Sequence, residues 1–195
     1  MMVKHVDQQG VGDVGFDAFG HMWIAAGESW NRKLMHEAAR LFDPAVFIDA
    51  NLRLPLYDGD LEDLGMPPEV QLLADQIKAA DAVVIVGPEY NKALSGVLKN
   101  ALDWVSRTKG GPWRDKPVAI MSAAAGRAGG ERSQMTMRHA MNPFRAQVLP
   151  GPEVMIAAPE REFDASGRLT GEMPHKLLAE LMGDLRAAAV RRTAG

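Results

Sequence analysis

The chain of 195 residues contains no cysteine. That excludes disulfides, thiolate metal sites, iron–sulfur clusters and a cysteine nucleophile, and it suits a reducing compartment, so a cytoplasmic location is expected. Long apolar runs are missing too. The richest, at 82–87, is strand length, far short of the roughly 18–20 residues of a membrane span. No basic segment followed by an apolar stretch opens the chain, so no signal peptide is expected. There is no His-Glu-x-x-His pair, no acidic calcium loop and no Gly-x-Ser-x-Gly elbow, and the five histidines are scattered. No metal ligand and no catalytic side chain is therefore assigned.

What is present describes an ordinary folded domain: 47% apolar and 24% charged residues, enough to bury a core and too few charges for disorder. The net charge of −3 conceals an asymmetry. Residues 1–90 carry 6 basic and 15 acidic side chains, whereas 91–145 carry 10 basic and 3 acidic ones. A basic middle segment points to an anionic small ligand near it, or to solvated helix faces. Nucleic acid is not expected, because no long basic run interleaves with aromatics.

Along the chain, 81–87 reads DAVVIVG, a β-branched run closed by Gly-Pro, as expected of a strand buried on both faces. PVAIM at 117–121, VMIAA at 154–158, AVFID at 45–49 and MWIAA at 22–26 are further strand candidates. Helical periodicity occupies 31–42, 68–80, 96–105, 130–141 and 175–190. Alternation of this kind predicts an α/β fold: a flavodoxin-like three-layer sandwich with a five-stranded parallel sheet and helices on both faces. Residues 1–20, glycine-rich and aperiodic, read as an irregular tail, with the domain at 21–195.

Ligands of open parallel sheets bind beyond the carboxyl ends of the strands, which selects the loops after Ala26, Gly87 and Met121. In the second of these, Pro88 stops the strand, Tyr90 offers a flat face with a polar tip, and Asn91 offers donors and an acceptor. Residue types alone fit either an ordinary turn or a planar heteroaromatic ligand.

GPEYNKALSGVLKNALDWVSR at 87–107 resembles the signature of the NADPH-dependent FMN reductases, the family of flavodoxin-like quinone, chromate and azo-dye reductases. LPLYD at 54–58, KPVAI at 116–120 and GRAGG at 126–130 are similar to the family as well. The resemblance implies bound FMN, NADPH or NADH as co-substrate, and a small-molecule electron acceptor. It also implies a homodimer or homotetramer without a nucleic-acid or membrane partner. Pro88, Glu89, Tyr90 and Asn91 would border the flavin ring, Ser122 and the backbone at Gly126 would face its other part, and Ser29, Asn31 and Arg32 match the end of the phosphate-binding motif. Lys99, Asn100, Asp103 and Trp104 are expected to hold the loop after Gly87 and its helix. Arg127 has two candidate partners, the phosphate of NADPH and a neighbouring subunit.

The chain departs from the family in the phosphate loop. A Gly-Ser-x-Arg-x-x-Ser stretch is expected there, but this chain reads MWIAAGES at 22–29. Glu28 lies beside the expected phosphate position, where a carboxylate would repel a dianion. Two functions therefore stand: an FMN-dependent NAD(P)H oxidoreductase, and a flavodoxin-like protein with impaired flavin binding that serves as an interaction or regulatory module.

Overall fold

The computed structural model describes residues 17–21 and 29–193. Its strands are β1 (Asp17–His21), β2 (Val46–Asp49), β3 (Ala82–Val86), β4 (Pro117–Ala124), β5 (Gln147–Val148) and β6 (Val154–Ala157). Its helices are α1 (Trp30–Phe42), α2 (Gly59–Asp63), α3 (Pro68–Ala79), α4 (Gly96–Ser106), α5 (Glu131–Met141) and α6 (Glu172–Thr193). All strand pairs are parallel, in the order β2-β1-β3-β4, and β5 and β6 both pair with β4. Pro117 and Val118 face β5, and Met121 to Ala124 face β6. The last strand position is thus divided by a segment containing Pro150 and Pro152, which have no N–H to give a ladder. The expected five strands become six segments in the predicted flavodoxin-like arrangement.

The strand expected at 22–26 lies outside the described residues. Its place in the sheet is held by β1, most of which falls in the stretch read as a tail. Phe19 pairs with Ile48 on one side and Val83 on the other. A central strand hydrogen-bonded along both edges needs little periodicity of its own.

Alternation along the central strands divides the core. Ala82, Val84 and Val86 of β3, with Ala119, Met121 and Ala123 of β4, pack against Leu34, Met35 and Ala38 of α1 and Leu178, Leu181 and Leu185 of α6. Val83 and Ile85, with Val118 and Ile120, turn to the opposite layer, where Leu73 and Ile77 of α3, Leu98 and Leu102 of α4, and Met137 of α5 cover them.

Two buried charges fasten this frame. Glu37 of α1 accepts from Arg40 and from Arg168, 131 residues away (2.9 Å), which ties the 163–169 hairpin to α1. Burial pushes its carboxyl upward, but the bonds from Arg40 and Arg168 outweigh that and hold it below the ordinary carboxylate range. At the amino end of β4, Lys116 is buried and its ammonium donates to the carbonyls of Lys78 and Ala80, at the end of α3. Desolvation, reinforced by the charge of Arg192, brings this lysine down to about 8.

Candidate functional site

The strand order reverses between β1 and β3, and the loops beyond their carboxyl ends meet there. On one side stands the beginning of α1. Ser29 is its extended N-cap (φ −94°, ψ 143°), and its carbonyl accepts from the N–H groups of Arg32 and Lys33. The Ser29 hydroxyl makes no capping bond, and the N–H groups of Trp30 and Asn31 have no acceptor within the helix. Arg32 reaches away to Asp49 at the end of β2 (2.9 Å). The Asn31 side chain turns inward and is buried: Nδ2 donates to the Ala123 carbonyl and Oδ1 accepts from the Ala123 N–H, both at 2.9 Å.

The loop after β3 is a small hairpin. Tyr90 and Ala93 exchange backbone hydrogen bonds (3.1 and 3.0 Å), and Asn91 and Lys92 between them both have positive φ (50° and 67°). A two-residue turn requires such angles, and asparagine tolerates them well. The Tyr90 ring is left 52% exposed. Glu89 turns the other way and accepts from the backbone N–H of Arg132 (3.1 Å), so it caps α5 from across the loop. The Leu94 N–H donates to Thr136 Oγ1, and Ser95 caps α4.

The third wall follows β4. Here β4 runs three residues beyond its expected end at Met121, because β6 continues the ladder to Ala124. Ser122 consequently sits inside the strand, fully buried, where its hydroxyl donates to the Gly129 carbonyl and accepts from Gln134 Nε2. It shapes the glycine turn from beneath. A Cβ on Gly130 (φ 100°) would lie 2.6 Å from Ser122 Oγ, and one on Gly129 2.8 Å from the Met155 carbonyl carbon. Gly126 differs, since a Cβ there meets no protein atom within 4 Å. The loop encloses a polar cavity of about 520 Å³ lined by Glu89 and residues 124–132.

Of the nine residues expected to hold the cofactor, Ser29, Pro88, Tyr90, Asn91 and Gly126 lie on loops or termini flanking the switch point. Asn31, Arg32, Glu89 and Ser122 instead have their polar groups engaged by protein partners. Asn100 and Trp104 do not hold the loop after Gly87. Asn100 accepts from the Tyr57 N–H and donates to the Pro55 carbonyl, and Trp104 Nε1 donates to that same carbonyl (2.8 Å). They fix the 54–58 loop against α4, with the Tyr57 ring edge-on to Trp104. Lys99 and Asp103 form an exposed ion pair on α4. Arg132 and Gln134 were not anticipated, and no local pattern marks a backbone N–H or an amide that meets its partner only in the fold.

A larger hollow of about 760 Å³ lies between α4 and α5, lined among others by Leu102, Trp113, His139 and Phe144. It runs from Leu94 and Thr136, beside the loop after β3, to Trp113 and Arg114 near the amino end of β4. Among the described residues no group of acidic or histidine side chains could hold a metal ion, and no helix is long and apolar enough to cross a membrane.

The donor set suits a phosphorylated planar ligand. An uncapped serine and free N–H groups at a helix start meet a phosphate's needs, and two loops with exposed backbone and a bare Gly126 leave room for a flat ring. Comparisons agree with that chemistry. A family model described as NADPH-dependent FMN reductase matches residues 25–160. The chain is 40% identical over 169 residues to an NAD(P)H-dependent FMN reductase of Pseudomonas aeruginosa, covering 86% of this chain and 91% of that protein. It is 37% identical over 171 residues to a 2-hydroxy-1,4-benzoquinone reductase of a Burkholderia species, covering 84% and 90%. The solved structure of FerB, a flavoenzyme NAD(P)H:(acceptor) oxidoreductase from Paracoccus denitrificans, superposes with a TM-score of 0.81 at 27% identity, covering 90% of this chain and 98% of that one.

Proposed function

The chain belongs to the NADPH-dependent FMN reductase family, and we propose that it moves two electrons from NAD(P)H to a quinone-type acceptor at the carboxyl edge of its sheet. It is an oxidoreductase and its cofactor is FMN. The observation that carries the reading is the convergence of the α1 start, the 88–93 hairpin and the 125–130 turn at the switch point, in a chain so similar to curated reductases.

FMN supplies the two-electron chemistry when bound. The chain's own groups bind and orient. The Ser29 hydroxyl and the N–H groups of Trp30 and Asn31 would hold the phosphate, aided by the positive end of the helix dipole. Backbone at Pro88 to Asn91 would border the ring, and Gly126 leaves space opposite. Glu89 holds the hairpin to α5, which fixes the two ring-side loops relative to one another. The half-exposed Tyr90 ring offers a flat surface for a planar acceptor. No side chain needs to act as acid or base: NAD(P)H, a proton from solvent and a quinone give NAD(P)⁺ and a hydroquinone. Azo compounds, chromate and free flavin are further acceptors of the same kind.

A homodimer or homotetramer fits the surface next to this site. Leu56 and Leu64, in the loops between β2 and α3, are 82% and 87% exposed, beside the exposed Tyr57. A cytoplasmic location fits the absence of cysteine.

The test is anaerobic NAD(P)H oxidation by the FMN-supplemented protein with 1,4-benzoquinone. The expected result is turnover that depends on both flavin and protein, with either NADPH or NADH preferred. A protein that takes up no FMN and leaves NAD(P)H unoxidised would instead support the interaction-module reading.

A further inference from the structure

The inward turn of Asn31 has a cause in the sheet. β3 ends at Val86, and the Gly87 N–H makes the last bond to β4, at the Met121 carbonyl (3.2 Å). In a strand the backbone groups of residues i and i+2 point to the same edge, so Ala123 presents its N–H and C=O where β3 has already turned away at Pro88. Ala123 is buried, and unpaired groups there would be costly. The amide of Asn31 takes the place of the missing strand: its oxygen accepts from one group and its nitrogen donates to the other. Asparagine is suited to this because its side chain is itself an amide. Arg32, the next residue, points to β2, so no neighbouring side chain shares the task.

The bond pair joins two parts of the site directly. Asn31 lies in the first turn of α1, which bears the uncapped Ser29 and the free N–H groups. Ala123 lies one residue before the end of β4, from which the ring-side turn departs. From the other side Gln134 of α5 holds β4 through Ser122 Oγ, and reaches β6 at the Val154 carbonyl. The ring-side turn therefore has its own support, whereas the α1 start is placed against it by Asn31.

We propose that Asn31 is a positioning residue that sets the span between the start of α1 and the turn after β4, and through that span makes the protein prefer FMN over riboflavin. This rests on the reading of the α1 start as the phosphate end of the site. Its role is sharpened by the neighbouring sequence. In an ungapped reading from Ser29, Met22 to Ala26 stand where the family carries the glycine, serine and arginine of its phosphate motif, so the placement of Ser29 and the helix start matters more.

The test compares FMN and riboflavin affinities, by quenching of flavin fluorescence, in the wild type, Asn31→Leu and Asn31→Ser. Leucine keeps the volume without the bonds, and serine is too short to meet both Ala123 groups. Each variant is expected to lose about tenfold in FMN affinity, the scale of two net hydrogen bonds, while riboflavin affinity stays within about twofold. Amide exchange in the ligand-free protein gives a second readout: Ala123 should lose protection in both variants while Ile120 keeps it. Equal weakening of both flavins, or an unchanged Ala123 amide, would overturn the proposal while leaving the FMN reading intact. A wild type that binds neither flavin would overturn the FMN reading, and the preference with it. Should Asn31→Leu fail to fold, Asn31→Ser carries the comparison.

Discussion

Lys116 makes a sharp prediction about stability against pH. It is buried at the amino end of β4, far from the candidate site, and its ammonium gives hydrogen bonds to the carbonyls of Lys78 and Ala80. Desolvation is the main cause of its lowered value, with Arg192 adding repulsion and Asp81 opposing both. The folded chain therefore releases this proton near pH 8, and the unfolded chain near 10.5. Between those values the unfolded state binds more protons, so stability must rise with pH. The contribution is complete above about 10.5 and is lost as pH falls through about 8. At roughly 1.4 kcal/mol per pH unit the gap corresponds to about 3 kcal/mol. The assay is urea unfolding of the wild type and Lys116→Met at pH 7, 8, 9 and 10, with the difference between the two curves cancelling the titration of other groups. The wild type should gain on the variant steadily from pH 8 upward. A flat difference, or one that shrinks as pH rises, would refute the claim that burial controls this lysine.

Gly130→Ala should cost about 3 kcal/mol in chemical unfolding, because its Cβ would strike Ser122 Oγ at 2.6 Å and its φ of 100° disfavours any side chain. Gly126→Ala should leave stability within about 0.5 kcal/mol and weaken FMN binding, since its Cβ enters open space beside the proposed ring. Trp104→Phe removes the donor to the Pro55 carbonyl and should lower stability by about 1 kcal/mol, with faster proteolysis of the 54–58 loop. Glu37→Gln should cost about 3 kcal/mol at pH 7, because Arg40 and Arg168 lose the carboxylate that holds them. Since that carboxyl is held below its ordinary 4.5, its contribution is full above that value and fades as the pH falls below it, so wild type and variant should converge in acid unfolding.

The layered architecture was legible because β3 and β4 are continuous apolar runs, and because α1, α3 and α4 carry periodic apolar faces that bury as expected. Three features were not. β1 reads as part of a glycine-rich tail, since its pairing on both edges, rather than its composition, makes it a strand. α2 has only five residues and no buried side chain, and the Asp58 cap to the Asp60 N–H is a faint signal. The end of β4 was misplaced because Ser122, Ala123 and Ala124 look like loop until β6 lies beside them. That difference bears on the site: with β4 running on to Ala124, Ser122 lies within the strand and bonds to Gly129 rather than standing in the loop beyond it. Resemblance points to the motif residues, but the motif does not show that the side chains of Asn31 and Glu89 also bond to backbone elsewhere in the frame. Those bonds, at 2.9 and 3.1 Å, link residues 92 and 43 positions apart and exist only in the fold.

The most direct measurement is titration of the ligand-free protein with FMN, followed by flavin fluorescence and the visible spectrum, then bleaching of the bound flavin by NADPH under anaerobic conditions. The account predicts saturable quenching at one flavin per chain, with α1 and the two ring-side loops gaining amide protection, and rapid bleaching on addition of NADPH. FMN fluorescence unchanged at every protein concentration, with no amide newly protected, would contradict it.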